Sequence, residues 1–316
     1  MKKCKVAILD SGLFQGCYNN MDVKNADSKN YDDNGHGTMC YEIIRKIAPN
    51  TDFYIKKILN LNLEGSSKIL LNTLTDLLDT DINIINLSLS TEGNEYKEKL
   101  NNVCEQLYYQ SKIIIASKNN GKKNYSYPCM FQNVIGVSGE IFEKNVNYKY
   151  DLKSKIQAEA NKVPFLVKGL DQKYHFFGGN SKATACMTGI VASYWKYIKD
   201  MKNYEREVFL ASKVEESFQK SNNNESNMDK YSEIMKFIAT EVEPIITSPF
   251  RCLNEELACE VLCRFQNEFS VIIRKEEVSI MEFNDMHRLG MFFLRALNEE
   301  KIINGKEYIK NSGFSN

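Results

Sequence analysis

The sequence predicts an α/β fold in three layers, a mostly parallel central sheet between helices, followed by a mainly helical C-terminal region. Three observations carry this. Up to about residue 200, apolar runs of strand length alternate with longer stretches of helical periodicity, as in parallel strands joined by crossover helices. A chain of 316 residues with 43% hydrophobic and 11% aromatic content can bury a sizeable core. Beyond the polar stretch Ser221-Asn222-Asn223-Asn224-Glu225-Ser226-Asn227, helical periodicity dominates. The expected division is therefore an α/β domain over 1–221 and a helical extension or small domain over 222–316.

The elements follow in order. Strands are expected at Val6-Leu9, Phe53-Ile58, Ile82-Leu89, Ile113-Ala116 and Val134-Val137, each a short apolar run bounded by polar or glycine residues. Ile43, Ile44 and Ile47 mark a helix that Pro49 ends; Ile69, Leu70, Leu74, Leu77 and Leu78 mark a second. Tyr96, Leu100, Val103, Cys104 and Leu107 mark a third, and a long helix is expected from about Ser181 to Ile198. In the C-terminal region one short run, Val271-Ile273, reads as extended.

Lys+Arg and Asp+Glu both total 41, so no global field favours nucleic acid or an anionic membrane. The apolar run Val6 to Leu9 is too short for a signal-peptide core, and nothing elsewhere approaches a membrane span. Nine cysteines at irregular spacings fit a reducing compartment and no structural disulfide, so a cytoplasmic location is expected. Cys252, Cys259 and Cys263, with His287 nearby, read as core packing rather than a metal site. No acidic metal-binding loop is visible, and neither a metal nor a cofactor is expected.

Three short motifs carry chemistry. A strand ending in Asp10-Ser11-Gly12 puts a carboxylate at the carboxyl edge of a parallel sheet, where open α/β folds form their crevice. By itself, such an aspartate is usually a turn former. Asn34-Gly35-His36-Gly37-Thr38 flanks one of only three histidines with glycines at the start of a helix. Gly178-Gly179-Asn180-Ser181 puts a serine at the first turn of an apolar helix, either as an ordinary N-cap or as an exposed hydroxyl beside free amides. Such a hydroxyl is a poor nucleophile unless a base activates it and a third group fixes the base.

In the order Asp, His, Ser, these motifs resemble those of the subtilisin-like serine peptidases over about residues 5 to 200. The resemblance implies a subtilisin-like fold, Ser181 as nucleophile, His36 as general base and Asp10 as the residue that orients it. It also implies that Ile84-Ile85-Asn86-Leu87-Ser88-Leu89-Ser90 ends in a substrate-pairing strand, with Ser88, Leu89 and Ser90 at the substrate. Ile113 to Gly121 resembles the strand leading to the oxyanion-hole asparagine, which maps onto Asn119, with Asn120 the competing assignment. Ser126 and Tyr127 fall beside the specificity pocket. The sequence departs from the family's pattern at Ser90, Lys118, Asn180, Lys182 and Ala185, where glycine, glycine, threonine, methionine and proline are usual.

The implied function is an intracellular serine endopeptidase acting on a peptide or protein, and the short lead into the first strand suggests a dedicated processing role. A protein partner would dock on the C-terminal region. Asp32 and Asp33, just before the histidine motif, suggest a preference for basic residues near the scissile bond. A second reading is a catalytically silent subtilisin-fold protein that holds a peptide in its cleft.

Overall fold

The computed structural model describes residues 3–25, 27–93, 95–119, 125–142, 148–216, 228–245 and 254–311. The polar stretch 221–227, Asn120 and Cys252 lie outside them. The chain runs β1 (Cys4–Asp10), α1 (His36–Ile47), β2 (Thr51–Lys57), α2 (Ser67–Asp76), β3 (Ile84–Leu87), α3 (Lys97–Tyr109), β4 (Ile113–Ser117) and β5 (Ile135–Glu140). All five expected strands are present, with ends shifted by no more than three residues. Four shorter strands follow that the sequence did not announce: β6 (Tyr148–Tyr150), β7 (Ala158–Asn161), β8 (Phe165–Lys168) and β9 (Tyr174–Phe177). At three or four residues each, they are too short to show a period.

The main sheet has seven strands in the order β2-β1-β3-β4-β5-β7-β6, parallel except for β6 against β7. β8 and β9 form a separate pair. Strand alternation sorts the apolar residues onto two faces. Val6, Ile8, Ile84 and Ile115 pack with Cys40, Ile44, Ala183 and Met187 of α1 and α4 (Gly179–Ser193). Ala7, Leu9, Ile85, Leu87, Ile114 and Ala116 pack with Leu70, Leu74, Leu100 and Leu107 of α2 and α3. These are the three expected layers.

From β1 the chain crosses to β2 on one side and then to β3 on the other, so the strand order reverses beside β1. The carboxyl ends of β1, β3 and β4 therefore open onto a common crevice. The expected helix over 181–198 is two helices. α4 starts two residues earlier, at Gly179, and ends at Ser193; after Tyr194, α5 (Trp195–Ile198) and α6 (Asn203–Glu216) continue.

The chain divides into two compact units, one of residues 1–163, 167–173 and 177–222, the other of 164–166, 174–176 and 223–316. The second contains α7 (Met228–Phe237), α8 (Glu255–Phe269) and α9 (Met286–Asn311). Its core stacks Phe265 on Phe293, with centroids 3.7 Å apart and planes 3° from parallel, and Phe237 meets both edge-on. The run Val271-Ile273 is not a strand. Val271 N–H instead donates to Gln266 O behind the left-handed Ser270, closing α8; Val271 and Ile273 turn into the core while Ile272 is exposed. Cys259 and Cys263 lie on α8, half-buried and exposed, and His287 pairs with the Tyr231 hydroxyl at 2.6 Å. Among the described residues no helix is long and apolar enough to cross a membrane.

Phe265→Ala should remove the centre of this aromatic cluster and cost the second unit about 3–5 kcal/mol. Urea denaturation followed by circular dichroism, with hydrogen exchange on α8, would read the loss.

Candidate active site

β1 ends in Asp10, which is fully buried. Its Oδ1 accepts from Ser11 N at 2.7 Å and from His36 Nδ1 at 2.7 Å. An ionised carboxylate can only accept, so the shared proton sits on Nδ1, and Nε2 is the acceptor of the neutral ring. Asp10 Oδ2 accepts no hydrogen bond among the described residues.

The local sequence explains how His36 reaches that carboxylate. A Cβ on Gly37 would lie 2.3 Å from Gly12 O, and one on Gly12 would lie 2.4 Å from Asn30 O. Gly12 also has φ +117°, in the left-handed region. Glycine at 37 lets the first turn of α1 press onto the end of β1, and glycine at 12 lets the backbone of residues 30–32 pass close beside it. Gly37 N then donates to Ser11 Oγ at 2.9 Å, which locks the two motifs together.

Asp32 completes the arrangement from the other side. Its carboxylate accepts from Asn34 N, Gly35 N, Thr38 N and Thr38 Oγ1 at 2.6–3.0 Å, holding the turn that enters α1 and capping the free amide of Thr38 in its first turn. Burial opposes its ionisation, but these hydrogen bonds outweigh it and hold the carboxyl below the ordinary range. Asp33 pairs with Lys57 at 2.8 Å. Both acids expected to favour a basic substrate are thus committed to the protein's own groups.

Cys40, one helical turn beyond His36, brings its Sγ within 4.0 Å of Nδ1. Burial penalises the imidazolium, yet Cys40 and Asp10 outweigh that penalty and raise His36 above the ordinary histidine value of 6.5. Burial in turn pushes the Cys40 thiol up, against the pull of His36. Asp10, His36 and Cys40 are the group of potential metal donors found among the described residues, their ligand atoms all within 4.8 Å. A thiophilic cation placed there would have to displace the Asp10–His36 proton. The Phe177 ring stands edge-on to His36, centroids 5.5 Å apart, and covers one side of the imidazole.

Ser181 occupies the first turn of α4, but Gly178 is the N-cap, so the serine does not cap the helix. Its Oγ donates to Ser88 O at 3.2 Å, and Ser88 Oγ donates back to Ser181 O at 3.2 Å. Behind them Asn86 Nδ2 reaches Ser88 Oγ at 3.1 Å, and Thr188 Oγ1 donates to Asn86 Oδ1 at 2.8 Å. A buried polar chain thereby fixes the end of β3 against α4. Asn180 donates to Lys118 O at 3.0 Å and accepts from Gly139 N at 2.7 Å, tying the loop after β4 to β5. Lys182 is fully buried, and burial pulls its ammonium below the ordinary lysine range.

His36, Ser88, Leu89, Ser90, Asn119 and Ser181 line one cavity of about 370 Å³. Ser126 does not reach it; its Oγ accepts from Asn119 N at 2.9 Å and holds that backbone in place. The Asn119 side chain donates to the Glu92 carboxylate. Cys40 and Glu92 were missed in the sequence. The first was detectable as a residue four after His36 on a helix, the second as an acid two beyond Ser90.

Comparison with known proteins agrees with this architecture. The model of the family described as "Subtilase family" matches residues 1–230. The chain is 28% identical over 208 residues to the minor extracellular protease Epr of Bacillus subtilis, a match covering 58% of this chain and 30% of that protein. It is 25% identical over 208 residues to a thermostable alkaline protease of Halalkalibacterium halodurans, covering 60% of this chain and 55% of that one. The chain thus spans about a third and about half of these two relatives. A cold-adapted subtilisin-like serine proteinase of known structure superposes with a TM-score of 0.55 at 15% identity, over 69% of this chain and 86% of its own. The S41 psychrophilic protease does so at 0.55 and 18%, over 66% and 82%. Both show the same fold.

The His36 imidazole should titrate above 6.5 when followed by NMR, and Asp10→Asn should bring its midpoint down. A midpoint at or below 6.5 in the unaltered chain would contradict the pairing.

Proposed function

The chain belongs to the subtilase family, and from that premise we propose that it is a serine-type endopeptidase working through Asp10, His36 and Ser181. The observation that carries this reading is the 2.7 Å bond from His36 to the buried Asp10, with His36 and Ser181 lining the same cavity. To act, the Ser181 hydroxyl has to leave Ser88 O, to which it is bonded, and turn to His36 Nε2. As the Oγ–carbon bond forms, the carbonyl π electrons move onto oxygen and the hydroxyl proton passes to His36. His36 then returns that proton to the amine as the carbon–nitrogen bond breaks, and water repeats the sequence on the ester. Asp10 favours the imidazolium throughout. The Ser181 backbone N–H and the Asn119 carboxamide are the oxyanion donors, and Ser88, Leu89 and Ser90 face the extended substrate.

A reducing, intracellular setting and a dedicated peptide or protein substrate are part of the proposal. The support for the setting is chemical: all eight cysteines among the described residues are free thiols, with Cys4, Cys40, Cys104 and Cys129 buried. The region from 222 onward is proposed as a small helical domain that a partner protein docks on. Its aromatic core supports a separate compact unit, one that also takes in Leu166, Tyr174 and Phe176 from earlier in the chain.

A fluorophosphonate probe should label the native chain and leave Ser181→Ala unlabelled; equal labelling, or none of the native chain, would defeat the proposal. Asn119→Ala should lower kcat by roughly 10²–10³, a range that comes from a subtilisin. Because His36 is raised above 6.5, activity should climb with pH along a limb whose midpoint exceeds that value. A pH–rate profile on a fluorogenic peptide would check it.

A further inference from the structure

One contact at the cavity is at odds with plain oxyanion chemistry. Asn119 Nδ2, the donor expected to meet the developing negative charge, is hydrogen-bonded to the carboxylate of Glu92. Glu92 follows the wall formed by Ser88 to Thr91, and Asn119 ends the opposite wall that begins at Ser117. The paired bonds between Thr91 and Tyr127, at 2.8 and 2.9 Å, hold that first wall in place just before Glu92. Asn119 is pinned through its backbone by Ser126 and through its neighbour's carbonyl by Asn180. The carboxylate and the oxyanion donor are therefore held side by side by independent anchors.

A fixed negative charge one carboxamide away from a developing oxyanion opposes it, whether the carboxamide stays on Glu92 or swings off. A cation placed against Glu92 cancels that opposition. Glu92 stands one residue past Thr91, at the rim of the cavity rather than in its lining, so on the peptidase reading a long side chain lying between the two walls would end near it. Resting on the peptidase reading above, we propose that Glu92 is a specificity-determining residue that makes cleavage depend on a lysine or arginine at the residue whose carbonyl is attacked. The cationic side chain pairs with Glu92 and leaves the Asn119 carboxamide to the oxyanion. Lys118 and Glu64 both line the cavity; Lys118 would favour an acidic side chain and Glu64 a basic one, so variants at Glu92 are needed to isolate its part.

The test is a set of fluorogenic peptides differing only at that residue (arginine, glutamine or glutamate), assayed with the native chain, Glu92→Gln and Glu92→Asp. The native chain should cleave the arginine peptide with kcat/KM roughly 10²-fold above the glutamine peptide. In Glu92→Gln that ratio should collapse to within a few fold, with kcat on the glutamine peptide rising as the charge beside Asn119 disappears. Glu92→Asp should keep a reduced preference. A general loss of folding would lower all three peptides alike and would not raise kcat on any. An unchanged ratio in Glu92→Gln, or a native preference for glutamate, overturns the inference. If no peptide is cleaved while the fluorophosphonate still labels Ser181, the inference falls and the nucleophile stands. If labelling fails too, both fall.

Discussion

The site depends on the close approach of the first turn of α1 to the end of β1. Gly37 passes Gly12 with no room for a methyl group on either, and that contact delivers His36 to a carboxylate that never sees solvent. A side chain on Gly37 would push the helix off the strand end, and one on Gly12 would strike the backbone of residues 30–32 that carries Asp32. The remaining parts follow from this seating. Asp32 caps the helix it anchors, Ser11 ties Gly37 to the strand, and Phe177 closes one side of the imidazole.

A second constraint acts on the serine. Nothing in α4 alone would aim Ser181, since Gly178 takes the capping position. Its position is set by the buried chain from Thr188 through Asn86 and Ser88 back to Ser181. Such a network is costly if any member is lost, because each hydroxyl or amide left behind is buried without a partner. Here every link is made, and so the end of β3 is tied to the first turns of α4.

Much of this was legible in the sequence because it is encoded locally. The apolar runs gave the five main strands, and the three glycine-bearing motifs gave Asp10, His36 and Ser181 their places at strand and helix ends. Other parts were not legible, for physical reasons. The roles of Asn86 and Thr188 depend on residues 102 positions apart meeting across the sheet, which no periodicity announces. The two acids before the histidine motif looked available for substrate because a sequence does not show which hydrogen bonds a carboxylate already accepts. In the fold Asp32 is consumed by backbone amides and Asp33 by Lys57. Ser126, expected at the pocket, supports Asn119 from behind instead.

The unusual residues around Ser181 gain a physical account from the same geometry. Asn180, where a threonine is usual, carries a donor and an acceptor on one planar amide, and uses both to join the loop after β4 to β5. A threonine hydroxyl is shorter and could not span both partners. The substitution therefore holds Lys118, and with it Asn119, in a loop where glycine would otherwise supply the freedom to adjust. Positioning has shifted from backbone flexibility to side-chain hydrogen bonding. A loop held this way can keep Glu92 and Asn119 in contact, whereas a freer one would let the carboxylate drift into solvent, where its influence on the oxyanion would be screened.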